Sequence, residues 1–227
     1  MRLFPLYFIA LLFSGTCFSQ DLKKQLDEVY NLDPELYNGR IFSNVYGNNV
    51  DGHQYFEERN FRRNELGLKH QVYEAQYINY DVYAQKLLLT YLDDNNSQKI
   101  IEIPQELVQF FSIGNNYFEM LLDEDNNYRI YQSFTFNQDK ILIYWKKNLT
   151  KNTGAVYYDY RFTKMEKQIF LFLNGQYYKV KNNKRFIDQF PDEAQANIQK
   201  WLKSNKIKIQ KADNSSLELL CKYLSEQ

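Results

Sequence analysis

The sequence predicts an α+β fold: an antiparallel β meander, half-barrel or sandwich-like, with an N-terminal helix and a C-terminal helical tail packed on the sheet. Three observations carry this prediction. Apolar residues alternate with a two-residue period through much of residues 72–173, and turn-forming residues interrupt them about every ten positions. Asn174-Gly175 is a strong signal for a hairpin turn. Beyond residue 181 the apolar period changes to that of helices, about 3.6 residues.

Residues 72–90 are predicted to form the central hairpin of the sheet. Their first half alternates with a period of two, and Ala84-Gln85-Lys86 is a polar break. The second half contains Leu87-Leu88-Leu89, which places apolar side chains on both faces of a strand. Such a strand needs cover on both sides, so the sequence predicts neighbouring strands around it and a helix across the sheet.

The other strands are predicted from alternation between turns. Asn38-Gly39 is a type I′ turn candidate, and residues 54–68 have no clean period, so they are interpreted as mixed strand and loop. The remaining predicted strands are Arg40–Tyr46, Lys99–Ile103, a hairpin of residues 107–113 and 117–122, Tyr128–Phe136, Ile141–Trp145, two strands within residues 155–173, and Gln176–Val180.

Helical spacing predicts one helix before the sheet, over Asp21–Tyr30, and three after it. The later helices are Lys184–Phe190, a second capped by Asp192, and a last one that ends near Ser225. Trp201 shares a face with apolar residues of the second helix, so we expect it to be buried against the sheet. Cys221 lies on the apolar stripe of the last helix and is predicted to be a buried small hydrophobe.

The first residues have the order of a secretory signal peptide. Met1-Arg2 is a short basic start, residues 3–13 are apolar, and residues 14–19 are small or polar. We therefore predict a signal peptide over residues 1–19 and export to the periplasm or the extracellular space. Cys17 offers an alternative, a lipid anchor, but residues 14–16 match that pattern poorly. No later segment is long and apolar enough to span a bilayer.

The remaining residues, 20–227, are predicted to form a single α+β domain. Its β-rich body covers about residues 36–181, and its helical tail covers about residues 182–227. The whole chain has 28 basic and 28 acidic residues. This balance argues against a nucleic-acid partner, because phosphates require a basic face.

Motifs for cofactors and catalysis are not found in the sequence. It has no phosphate-binding glycine loop, no paired-cysteine motif and no nucleophile elbow, so we expect no cofactor and no enzyme activity. His53 and Glu57 have the spacing of metal ligands on a helix, but the segment is not helical in pattern and ordinary polar surface is the better interpretation. Asp81 is an acid in an apolar setting, where burial would raise its pKa. The favoured alternative is an aspartate that accepts backbone hydrogen bonds in a turn.

The aromatic content is high, with 20 tyrosines and 17 phenylalanines. Tyrosine has high strand propensity, which explains many of these residues. Tyr157, Tyr158 and Tyr160 occupy both faces of a predicted strand, however, so some of them must point outward. Because tyrosine can stack on sugars and contact proteins, these three residues are the candidate binding residues.

Several stretches resemble a family of uncharacterised exported proteins of Bacteroidetes-type Gram-negative bacteria. They are INYDVYAQKLLL, IIEIPQELVQFF and the tail from FLNGQYYKV onward. The resemblance covers most of the mature chain, and the matching positions are Tyr80, Asp81, Tyr83, Gly175, Tyr177, Phe190, Pro191, Asn205 and Ile207. It implies export, a β-rich body and a helical tail. It implies no activity and no catalytic residue.

Three hypotheses for function follow from these observations. The first is an exported, non-catalytic binding or scaffolding protein of the cell envelope, whose partner is an envelope protein or a glycan. The second is a periplasmic carrier of an apolar or glycan ligand, which requires a cavity or an aromatic groove. The third is a hydrolase built on carboxylates such as Asp81, which requires a second acid close by.

Overall fold

The computed structural model describes residues 36–44, 46, 49–69, 71–93, 95–153 and 157–226. The predicted signal peptide, the helix at residues 21–30 and Cys17 lie outside the described residues. The chain divides into two units, residues 1–38 and 39–227, and the architecture described below is that of the second unit.

β-Strands are the main secondary structure of the second unit. The described strands are β1 Arg40–Ile41, β2 Val50–Asp51, β3 Arg62–Leu68, β4 Gln71–Asp81, β5 Lys86–Leu92, β6 Gln98–Glu102, β7 Val108–Ile113, β8 Asn116–Leu122, β9 Tyr128–Phe136, β10 Asp139–Lys146, β11 Leu149–Lys151, β12 Tyr160–Phe162, β13 Glu166–Leu173 and β14 Gln176–Val180.

One large antiparallel sheet contains eleven of these strands, in the order β1-β6-β5-β4-β3-β7-β8-β9-β10-β13-β14. A small sheet has the order β11-β12-β2, and its β12–β2 pairing is parallel. The prediction of a large antiparallel sheet is confirmed. The meander is not continuous, however, because β7 pairs with β3 and not with β6, the strand before it.

The predicted central hairpin is confirmed as β4 and β5, with Tyr80 opposite Leu87. The turn between β13 and β14 is also confirmed, because Asn174 has φ 49° and Gly175 has φ 79°, the positive values that a type I′ turn requires.

The predicted type I′ turn at Asn38-Gly39 is wrong, because Gly39 does not have a positive φ. The residue is glycine for a different reason. A Cβ atom at this position would lie 2.6 Å from the carbonyl oxygen of Glu102 in β6. Gly39 therefore lets the chain approach the edge of the sheet closely before β1 begins.

The large sheet is strongly curved. The rings of Tyr80 in β4 and Phe118 in β8 are 5.6 Å apart between centroids, although β3 and β7 lie between their strands. Three strand spacings of a flat sheet would separate them by about 14 Å. In the turn between β4 and β5, Gln85 Nε2 donates a hydrogen bond to the Trp145 carbonyl of β10 at 2.8 Å. The concave interior is filled by aromatic rings that contact one another: those of Phe56, Tyr80, Phe111 and Phe118.

The chain ends in three helices: α1 Asn183–Ile187, α2 Asp192–Ser204 and α3 Asn214–Ser225. The helices share one buried core with the last strands of the large sheet, which confirms the packed helical tail. Asp213 caps α3, since its side chain accepts a hydrogen bond from Ser216 N. Asp192 is not the cap of α2 as predicted. It is the first helical residue after Pro191, where its charge suits the helix dipole.

The prediction for Trp201 is wrong in detail. Its side chain is only half-buried, and its ring stacks on Tyr223 of α3 at a centroid distance of 4.7 Å. The neighbouring Ile198 and Leu202 provide the buried face of α2. Trp201 therefore links two helices and packs against the core from a partly buried position, while Ile198 and Leu202 lie within the core.

The prediction for Cys221 is confirmed, because its thiol is buried and free. Burial raises the pKa of this thiol to about 12, so it stays protonated at neutral pH. Within the described residues, no helix combines the length and the apolar character that crossing a membrane would require.

Candidate functional site

A cleft of about 300 Å³ lies between the small sheet and the segment that precedes β3. We call it the His53 cleft. Its residues combine aromatic rings with polar side chains: Asn44, Tyr46, Val50, Gly52, His53, Gln54, Tyr55, Arg59, Tyr158 and Phe162. Pockets of this kind, with apolar walls and a few polar groups, are typical places for small ligands.

The wall formed by residues 53–56 is fixed to the large sheet by backbone hydrogen bonds. Phe56 N donates to the Tyr80 carbonyl at 2.8 Å, and Val82 N donates to the Gln54 carbonyl at 3.0 Å. Lys147 follows directly after β10, and its Nζ donates hydrogen bonds to the carbonyls of His53 and Tyr55 at 2.9 and 2.7 Å. The polar side chains of this wall are therefore held on a rigid support.

Two side chains of the cleft have buried polar atoms without a hydrogen-bond partner in the described structure. They are Gln54 Nε2 and His53 Nδ1. Gln54 is only 3% exposed. Buried polar atoms without a partner are rare in folded proteins, and each one destabilises the ligand-free protein. A ligand atom that accepts a hydrogen bond from Gln54 Nε2 would remove this cost. The sequence predicted His53 as ordinary polar surface, whereas the structure shows a half-buried residue whose Nδ1 is buried.

The electrostatic surroundings keep the imidazole of His53 neutral. Burial lowers its pKa, and the positive charges of Lys147 and Arg59 lower the pKa further, whereas a hydrogen bond with the Tyr55 backbone opposes them with a smaller effect. A neutral imidazole offers one donor and one acceptor, which suits recognition of hydroxyl groups.

Asp81 lies behind this wall, at the end of β4, and is completely buried. Its Oδ1 accepts a hydrogen bond from Ala84 N at 2.8 Å, as the turn interpretation predicted. Its Oδ2 has no partner in the described structure, and burial raises the pKa of the carboxyl to about 6. Backbone amides and the charges of Lys86 and Lys147 oppose this rise in pKa. Asp81 is thus both an aspartate that accepts a backbone hydrogen bond in a turn and a buried acid with a raised pKa.

The raised pKa of Asp81 predicts a specific pH dependence of stability. Between pH 4 and 6 the folded state binds this proton more tightly than the unfolded state does, so the contribution of Asp81 to stability falls as pH rises through this range. The Asp81→Asn variant keeps the acceptor for Ala84 N but has no carboxyl to titrate. We expect its free energy of unfolding, relative to that of the parent, to rise by about 2 kcal/mol from pH 4 to pH 8. Urea unfolding of both proteins across this range measures the change. A constant difference between the two proteins would show that Asp81 titrates normally.

The structure separates the three tyrosines predicted to bind. Tyr158 lines the His53 cleft and is 41% exposed. Tyr157 and Tyr160 are also exposed, at 81% and 46%, but they are not part of the cleft wall. Of the predicted set, Tyr158 is thus the one that meets the polar residues described above.

Three other grooves are larger than the His53 cleft. One, of about 400 Å³, lies beside β9 and α3 and is lined by Ser133, whose buried Oγ also has no hydrogen-bond partner in the described structure. Of the other two, one of about 850 Å³ runs along α1 and α2, and one of about 720 Å³ lies between the turns after β8 and β13. The buried carboxylate beside the second groove, Asp123, has Arg129 Nε 2.6 Å away. Among the described residues that line these two grooves, Asp123 has a buried Oδ2 without a regular hydrogen bond, and the cation of Arg129 beside it offsets its charge.

Sequence reasoning missed Gln54, Arg59 and Lys147. Gln54 and Arg59 lie in the stretch without a period, and Lys147 reaches the cleft from 94 positions away along the chain. No local pattern marks these residues.

Metal binding has no geometric basis in the described part of the chain, where no three side chains of His, Cys, Asp or Glu are grouped suitably. Glu57 instead lies within 3.3 Å of Asn116 Nδ2. Comparison of the chain with protein-family models, with curated proteins and with solved structures finds no match.

Proposed function

We propose that this chain is an exported, non-catalytic binding protein of the cell envelope and that the His53 cleft binds a hydroxyl-rich ligand such as a glycan. Export is supported by the signal-peptide pattern of residues 1–19 and by the family resemblance. Binding is supported by the geometry of the cleft.

The observation that carries the proposal is the buried amide of Gln54, which has no partner in the described structure. A sugar hydroxyl can accept a hydrogen bond from this amide, and the neutral His53 can pair with a second hydroxyl. Tyr158 supplies an exposed ring at the rim, on which the apolar face of a sugar can stack. Rigid polar groups beside an aromatic ring are a suitable arrangement for a small glycan.

The alternatives have weaker support. A carboxylate hydrolase needs a second acid near Asp81, but the ionised groups that act on this carboxyl are the cations Lys86 and Lys147. A carrier of apolar ligands needs an empty interior, but the rings of Tyr80, Phe111 and Phe118 fill the concave side of the sheet.

A panel of short glycans tests the proposal. We expect the mature chain to bind at least one of maltotriose, cellotriose, mannotriose, chitotriose, galactobiose and digalacturonate with a Kd of about 1 mM or tighter in calorimetry. Tyr158→Ala should weaken this binding about tenfold, because a stacking ring is lost from the cleft.

The matched control is Tyr157→Ala, which removes a more exposed ring outside the cleft. It should leave the affinity unchanged. Absence of binding across the panel, or equal effects of the two tyrosine variants, would contradict the proposed site.

A further inference from the structure

The charges around the His53 cleft are asymmetric. The ionised groups that act on His53 are both cations, Lys147 and Arg59. The buried acid nearby is Asp81, and its charge is offset by Lys86 and Lys147. Arg59 and Lys147 therefore place positive charge beside His53, although the chain as a whole has no net charge. In the same cleft, the charge of Asp81 acts on Tyr46 and Tyr55.

The side chain of Arg59 supplies the positive charge at the mouth of the cleft. It is exposed, lines the cleft and donates a hydrogen bond to the Gly52 carbonyl. This hydrogen bond holds the guanidinium beside the opening. A guanidinium has five N–H donors in a planar fork, so it can hold Gly52 and still present donors to a ligand.

Two of the residues that line the cleft carry side-chain N–H groups suited to a negatively charged oxygen, Gln54 and Arg59. Gln54 Nε2 can only donate, and Arg59 can only donate. Lys147 adds its charge from behind the wall, where its ammonium is occupied by two carbonyls. A ligand oxygen with negative charge satisfies such donors better than a neutral hydroxyl does, since charge-assisted hydrogen bonds are about twice as strong.

We infer that the ligand of the His53 cleft carries a carboxylate: it is an acidic glycan that contains a uronic acid, with Arg59 and Gln54 as the donors to the carboxylate. This inference rests on the proposed function and narrows its substrate class. Tyr158 stacks on the sugar ring, and Arg59 selects the acidic sugar over its neutral counterpart.

Calorimetry of the mature chain with digalacturonate and with galactobiose tests the inference, because the two sugars differ in their carboxylates. We expect digalacturonate to bind about tenfold more tightly at low salt and to lose much of this advantage as salt rises. Arg59→Gln should abolish the preference. The control Arg63→Gln removes another exposed charge, which lies over the Tyr77 ring outside the cleft, and it should keep the preference.

The outcomes separate the inference from the proposed function. Equal binding of both sugars, unaffected by salt and by Arg59→Gln, would overturn the carboxylate while leaving the glycan site in place. Succinate that binds as tightly as digalacturonate would show an anion site without sugar recognition. If neither sugar binds and the rest of the glycan panel fails as well, the proposed function itself is wrong.

Discussion

We expect the Phe118→Ala variant to lose about 3 to 5 kcal/mol of unfolding free energy, the largest effect of any single change considered. Phe118 is fully buried in the concave interior of the sheet. Its ring stacks on Phe111 at 4.9 Å and contacts Tyr80 and Phe56 edge to face. Alanine would leave a cavity between strands that are distant in the sheet, and this cavity cannot close without flattening the sheet. Urea unfolding followed by tryptophan fluorescence measures the loss.

The neighbouring Tyr117 is the matched control. It lies on the opposite face of β8, is 41% exposed and stacks on Phe110. Tyr117→Ala should therefore cost only about 1 kcal/mol. Similar losses for the two variants would mean that the interior of the sheet is not the main core.

The second large effect is expected at Gln132, which joins the sheet to the tail. Its Nε2 donates to Asn116 at 3.0 Å and to Asn214, the first residue of α3, at 3.1 Å. Its Oε1 accepts from Trp145 Nε1 at 2.8 Å. Gln132→Leu keeps the volume but leaves the Trp145 N–H and the Asn214 oxygen without this partner. We expect a loss of about 3 to 4 kcal/mol in urea unfolding, since each buried unpaired group costs about 1 to 3 kcal/mol.

Gln168→Leu is the control for this prediction. Gln168 lies on the outer face of β13 and accepts one long hydrogen bond from Lys179, at 3.3 Å. Its replacement should change stability by no more than about 0.5 kcal/mol. A loss at Gln132 as small as this would indicate that water replaces the side chain and that the network does not hold the tail.

The strands and helices could be predicted from sequence because their signals are local. Each of these signals is contained in one short stretch of sequence: the alternation of β9, the Asn174-Gly175 turn and the apolar stripe of α3. The curvature of the sheet could not be predicted, because it depends on contacts such as Gln85 with Trp145, 60 positions apart. The pairing of β7 with β3 has no local signal either, because the residues of a turn do not determine which earlier strand the next strand pairs with.

The candidate site divides in the same way. Tyr158 could be proposed from the sequence because neighbouring tyrosines on a predicted strand must occupy both of its faces. The structure places Tyr158 before β12, so the residue was found although the strand begins later than predicted. Gln54 could not be proposed, because the burial of its side-chain amide depends on residues that only the folded chain brings together. Asp81 was recognisable as an acid in an apolar stretch, but its raised pKa requires the cover provided by residues 53–56.

The most direct test of the cleft is the NMR signal of the Gln54 side-chain amide during addition of digalacturonate to a chain of residues 20–227. We predict that this signal and the Arg59 Nε signal shift with a common saturation curve, while the side-chain amide of Asn183, in the groove along α1 and α2, does not move. Shifts at Asn183 with none at Gln54 would contradict the account and place ligand binding on the helical tail.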